Sequence, residues 1–193
     1  MALWLGILQA LTLVAVLVVI YRPLGDYMAT IYTSHRDLTI ERGFYRLIGV
    51  DARGQQTWAA YLRSVLAFSL VGVLFVYAIQ RAQAVLPYSL GFPAVPEGLS
   101  FNTAVSFVTN TNWQSYSPDV TMGYTVQILG LAVQNFVSSA VGIAVAVALV
   151  RGLMLRRSGS IGHCGVDVTR GALRLLLPLS VLAAIVLLAG GVI

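Results

Sequence analysis

No lysine occurs anywhere in the 193 residues; all 12 basic residues are arginine. That absence removes from this chain a Walker A phosphate loop, which needs its lysine, and with it the best-known route to ATP binding. One cysteine, Cys164, leaves no partner for an internal disulfide, and two histidines give no pair at metal-ligand spacing. Charge is also scarce, at 10% of residues. The formal net charge of +5 does not mark a nucleic-acid binder, because the arginines flank apolar runs instead of gathering on a polar face.

What fills the chain is apolar: 58% hydrophobic residues and a mean hydropathy of +0.84, too high for a soluble domain of this length. The predicted fold class is an all-α membrane protein with about four transmembrane helices and one re-entrant pore helix with its filter loop. Residues 2–21 form the first span and 22–60 a polar connection. Residues 61–150 form a helix, pore loop, helix unit with its loop at 100–117. A second connection follows at 151–172, and 173–193 starts another span. Arginines alternate by side: none before the first span, six from Arg22 to Arg63, Arg81 alone in the next connection, and five from Arg151 to Arg174. By the positive-inside rule the two arginine-rich connections are cytoplasmic and the N-terminus is outside.

Smaller features get modest readings. Residues 32–46 are expected to hold a short amphipathic surface helix, with His35 solvated. Trp58 and Tyr61 suit an aromatic belt at the second span's entrance. Gln127, Gln134, Asn135, Ser138 and Ser139 stud the third span and are expected to bond to other helices, with Ser138 and Gly142 as a small-residue packing face. His163 and Cys164 lack further ligands and read as bystanders. Ser158 to Gly162 is a flexible turn and not a nucleophile elbow, since position 158 is not glycine.

The stretch Ser100 to Ser117 departs from this pattern. Asn102, Asn110, Asn112 and Gln114 would leave amides unsatisfied against lipid, so the segment needs a protein or water-lined cavity. Phe101 to Val108 is apolar enough for a short buried helix capped by Ser100 or Asn102. Thr109 to Asn112 favours turns, and Asn tolerates positive φ better than other non-glycine residues. A helix ending at mid-depth presents its carbonyl end, with partial negative charge, to the residues after it. Oxygens from Thr109, Asn110, Thr111 and Asn112 could then replace the hydration shell of a monovalent cation, with Gln114 steadying the loop or lining its vestibule. A divalent site would want carboxylates, and none is present there. On composition alone an interfacial or surface loop remains an equal alternative.

The run Phe101-Asn102-Thr103-Ala104-Val105-Ser106-Phe107-Val108-Thr109-Asn110-Thr111-Asn112-Trp113-Gln114-Ser115-Tyr116-Ser117 resembles the first pore loop of the potassium-binding, channel-like subunit family of bacterial Kdp potassium-pumping P-type ATPases. Arg22 to Gly25, Gly49 to Asp51, Val133 to Phe136 and Val166 to Arg170 match the same family in order. Pro118-Asp119 stands where the family would have Gly-Glu. The resemblance implies potassium as the ligand, no ATP bound by this chain, and no enzymatic activity of its own. It also implies an ATP-hydrolysing P-type partner with accessory subunits in the lipid bilayer of the bacterial inner membrane. Four pore loops in one longer chain are implied as well, with Ile193 a truncation point early in the second unit. Trp113 is expected to wedge the loop against the second or third span. Two other readings stand beside it: an ATP-independent potassium channel or symporter subunit of the Trk/Ktr type, and a non-transporting membrane scaffold.

Overall fold

The computed structural model describes residues 2–34, 36–154 and 159–192. His35, Arg156, Arg157 and Ser158, assigned by sequence to connections, lie outside the described residues. All regular structure among the described residues is helical. Two compact units, residues 1–37 and 38–193, make up the chain.

The first unit is one long helix, α1 (Ala2–Thr33). It continues well past the expected end at Tyr21, through Pro23, whose missing N–H costs one backbone hydrogen bond without ending the helix. Apolar side chains surround it, as suits a lipid-facing span. In the second unit, α2 (Thr39–Ile48) is the short amphipathic helix, displaced toward the C-terminus from its predicted place. The helix α3 (Trp58–Arg81) begins at Thr57, whose side chain accepts from the Ala60 N–H. Among the described residues, four helical stretches are long and apolar enough to cross a membrane: Trp4–Thr33, Trp58–Arg81, Val126–Met154 and Cys164–Ala189.

The last of these corrects the expected boundary at residue 173. Helix starts at Cys164 as α7 (Cys164–Arg170), passes through a π-helical segment (Gly171–Leu176) and continues as α8 (Leu177–Ala189). Pro178 explains the wide turn. It cannot donate to the carbonyl four residues back, and its ring crowds the preceding turn, which a π segment loosens. Arg170 and Arg174 therefore ride on the helix rather than in a connection.

At the end of α3 where it begins, the packing is polar and closed. Tyr61 is not a belt residue: it is buried, and its hydroxyl lies 2.9 Å from the Ala144 carbonyl and 3.1 Å from Asp167 Oδ2. Arg151 donates to the same carboxylate oxygen at 2.7 Å and to the Ile161 carbonyl at 3.2 Å. Gln56 pairs its backbone with Ile161 and Gly162 and accepts the Cys164 N–H on its side chain. A second ion pair joins α2 to the π segment, where Arg174 grips the fully buried Glu41 with Nε at 2.5 Å from Oε1 and Nη2 on Oε2. Glu41 Oε2 also accepts the Leu38 N–H at the start of α2. Thus the amphipathic Thr39–Ile48 helix is held to the π segment by a bidentate contact.

The small-residue face of the third span also differs from expectation. Gly142 is exposed, and Ala140, Ala144 and Ala148, spaced one turn apart, are buried instead. Tyr61, Ala148 and Cys164 form a packed cluster there, so bulky Tyr61 meets the alanine row.

His163, just before α7, is pushed below the usual imidazole range by burial, against the opposing pull of Asp167 and Asp51. The unfolded chain then binds this proton more readily than the folded one. The stability contributed by the neutral ring is fully present above its unfolded pKa of about 6.5 and is lost as pH falls from there toward the depressed folded value. Thermal melts of the full-length protein across this window are expected to show a steeper acid decline for the wild type than for His163→Gln; superimposable profiles would exclude it.

Candidate functional site

From Arg81 onward the chain makes a short 3-10 turn (Gln83–Val85) and an irregular proline-rich stretch before α4 (Glu97–Val108). The half-helix therefore begins one turn earlier than Ser100. Pro96 precedes it with φ fixed at −53°, and Glu97 in its first turn suits the positive helix end. Ser100 does not cap it; its hydroxyl donates to the Val95 carbonyl at 3.1 Å.

Three side chains at the end of α3 hold α4 and the irregular stretch. Gln80 is completely buried and donates to the Val76 and Ser100 carbonyls at 2.9 and 3.2 Å. Gln83, equally buried, donates to the Pro93 and Thr121 carbonyls and accepts the Gly123 N–H. Arg81 donates to the Val95 carbonyl at 2.6 Å and pairs with Glu97 at 3.4 Å. Backbone that leaves helix inside a packed region still needs partners for its carbonyls, and these side chains supply them. Neither glutamine was singled out from sequence, and Arg81 was read only as the lone base of its connection. Two glutamines at the end of an apolar span, just before prolines, were the available signal.

The helix α4 packs along α3 and against α6 (Val133–Met154). Gly72 of α3 makes the approach possible: a Cβ there would lie 3.1 Å from Gln134 Oε1 and 3.2 Å from Val108 Cγ2. Val76, Val95, Ala104, Phe107, Met122, Val126 and Leu131 form the apolar core behind the loop.

After Val108 the chain doubles back. The Ser106 carbonyl accepts from the backbone N–H groups of Thr111 and Asn112 at 3.0 and 3.3 Å, and from the hydroxyls of Thr111 and Thr109 at 3.1 and 3.3 Å. Negative charge at the helix end is thus engaged by the loop itself, and this turn, not an open helix terminus, sets the path of the chain from Thr109 to Trp113. Thr109 and Thr111 hydroxyls lie 3.1 Å apart. Asn110 and Asn112 adopt φ of 57° and 53°, the left-handed conformation anticipated for asparagine here.

Thr109, Asn110, Thr111, Asn112 and Gln114 are all exposed side chains on this one turn and its exit. Trp113 does not wedge the loop: its side chain is 52% exposed, while its carbonyl accepts from the Ser106 hydroxyl at 3.0 Å. A tight turn that uses Ser106 for both ends aims the residue between them outward. Tyr116 lies next to Thr103 and Gln114, and burial pushes its phenol above the usual range. Pro118 opens a one-turn helix, α5 (Pro118–Thr121), at the position where its missing N–H is harmless.

Sequence reasoning treated Asn135 as one polar residue among several. The structure brings it to the loop: Asn112 Nδ2 donates to Asn135 Oδ1 at 2.9 Å, and Ser138 Oγ lies 3.4 Å from Asn110 Oδ1.

These features define a class: a helical membrane protein in which a half-helix and a doubled-back, oxygen-rich loop are seated against two long apolar helices. The family described as "Potassium-transporting ATPase A subunit" matches residues 11–193, and the chain belongs to that family. Among its relatives are proteins named potassium-transporting ATPase potassium-binding subunit. That of Clavibacter sepedonicus is 72% identical over 188 residues, 97% of this chain and 34% of the relative. That of Mycobacterium avium (strain 104) is 58% identical over 190 residues, with the same coverage. That of Streptomyces avermitilis is 57% identical over 188 residues, again 97% and 34%. The chain spans about a third of the length of these relatives.

Proposed function

We propose that this chain contributes the first potassium-selecting loop of a potassium-binding subunit in an ATP-driven uptake complex. The observation that carries it is the turn from Thr109 to Asn112: neutral, rich in oxygen, with two left-handed asparagines, directly after a half-helix. Backbone and side-chain oxygens of Thr109, Asn110, Thr111 and Asn112 replace water around a dehydrated monovalent cation, and Gln114 lines the exit. Neutral ligands suit an ion that must be released again.

One turn cannot surround an ion. Residues 61–150 supply one of four equivalent units, the helix from Cys164 opens the next, and the remainder of the full-length subunit completes the ring. ATP hydrolysis belongs to a P-type partner, with accessory subunits beside it. The complex sits in the bacterial inner membrane with the N-terminus of this chain outside and the loop facing the external side.

The test uses the full-length subunit in its assembled complex. Gln114→Arg places a fixed cation at the exit and Asn112→Asp changes the ligand charge; each is expected to shift the potassium concentration that half-maximally stimulates ATPase activity by about tenfold or more. Unchanged potassium dependence in both variants would overturn the assignment. Potassium flux into vesicles without ATP would move it to a channel or symporter of the Trk/Ktr type, and no potassium dependence at all would leave a scaffold.

A further inference from the structure

Left-handed backbone at two asparagines two residues apart is a strained arrangement that surrounding contacts must hold in place. Within the loop, the backbone bonds to Phe107 and Ser106 fix the turn but not the orientation of the two side-chain amides. Those amides are oriented from α6. Asn112 Nδ2 donates to Asn135 Oδ1 at 2.9 Å and to Asn110 Oδ1 at 3.3 Å. The Ser138 hydroxyl, one turn further along α6, donates to the Asn135 carbonyl at 3.1 Å and shares that proton with Asn110 Oδ1 at 3.4 Å.

The bond has a direction: Asn135 Oδ1 accepts and Asn112 Nδ2 donates, which commits the Asn112 nitrogen to α6 and leaves its oxygen as the free end of the amide. Reversed, that amide would present N–H groups to a cation and repel it. Asn110 is turned the other way. Its side-chain oxygen receives both donors, so its contribution to ion binding is its backbone carbonyl.

The register that brings Asn135 and Ser138 to the loop is set just upstream. Residues Val126–Ala132 are π-helical before α6 begins. A π turn holds an extra residue, and each added residue rotates the rest of the helix by roughly 100° about its axis. An unbroken α-helix from Val126 would present a different face to the loop.

We propose that Asn135, supported by Ser138, is a positioning residue for ion selection: it locks the amide of Asn112 so that oxygen rather than nitrogen faces the ion, and couples the geometry of the loop to the third span. The inference rests on the potassium-selecting role proposed for the loop.

The experiment measures potassium- and rubidium-stimulated ATPase activity of the full-length complex, as KM and kcat for each ion. Asn135→Leu removes the acceptor at similar volume. It is expected to raise the potassium KM about tenfold, to narrow the potassium-to-rubidium preference several-fold, and to fall on KM more than on kcat. Asn135→Asp keeps an oxygen facing Asn112 Nδ2 and is expected to retain most of the potassium-to-rubidium ratio, while its charge shifts the KM for both ions together. A wild-type KM and ion preference in Asn135→Leu overturns the proposal, as does equal loss of preference in Asn135→Leu and Asn135→Asp. If Asn135→Leu fails to assemble, Ser138→Ala is judged on the same ratio, with a smaller shift in the same direction expected and an unchanged ratio overturning it. A wild-type complex without potassium stimulation would instead overturn the function assigned to the loop itself.

Discussion

Arg151→Met in the full-length subunit is expected to lower stability by about 3–5 kcal/mol, the range for removing one partner of a buried ion pair. Asp167 is 2% exposed, and Arg151 supplies its closest donor at 2.7 Å. With the guanidinium gone, the carboxylate keeps the Tyr61 hydroxyl at 3.1 Å and the weaker pull of Arg170 but loses its directly bonded counter-charge in a place that water does not reach. The damage extends beyond the pair, because Arg151 also donates to Ile161 in the segment that leads into α7. Removing both charges in Arg151→Met with Asp167→Leu is expected to recover part of the loss, since the carboxylate is then no longer left without its bonded partner. Thermal melts of the detergent-solubilised protein, with its amount in membranes as a second readout, decide the matter. A single variant as stable as wild type would show that the pair does not hold these helices together.

Gly123→Ala is expected to be nearly as damaging, at roughly 3 kcal/mol, although one methyl group is all that it adds. A Cβ at this position would lie 2.5 Å from Ser89 Cα and 2.8 Å from both the Ser89 carbonyl carbon and the Tyr88 oxygen. These are backbone atoms and cannot swing aside. They belong to a segment already bent, with positive φ at Tyr88, Leu90 and Gly91. Gly123 also donates its N–H to the buried Gln83, and Tyr124 donates to the Tyr88 carbonyl, so displacement would unfasten Gln83 from Pro93 and Thr121 as well. Besides a lower melting temperature, faster proteolysis at residues 85–95 is expected. An alanine variant with wild-type stability and wild-type cleavage would mean that the close approach is not maintained.

Both predictions rest on contacts that the sequence did not show, for one physical reason. Long apolar runs and turn-favouring residues are one-dimensional signals, so the four spans, a short helix before the loop and the turn of Thr109 to Asn112 were legible. Asparagine's tolerance of positive φ is local as well, and it correctly anticipated Asn110 and Asn112. Element ends were less legible. The extension of α1 to Thr33 and the start of α7 at Cys164 depend on whether a proline or a basic residue can be accommodated, not on its presence.

By itself, then, the sequence determined that this is a helical membrane chain and that one polar stretch turns sharply where its asparagines lie. Tertiary structure alone decided which polar groups meet. Asp167 reaches Tyr61 across 106 positions, Arg174 reaches Glu41 across 133, and Asn112 reaches Asn135 across 23. A buried polar group states its need for a partner in the sequence, but the partner is chosen by helix packing and by the helical register, including the two π segments, that turns one face rather than another toward it.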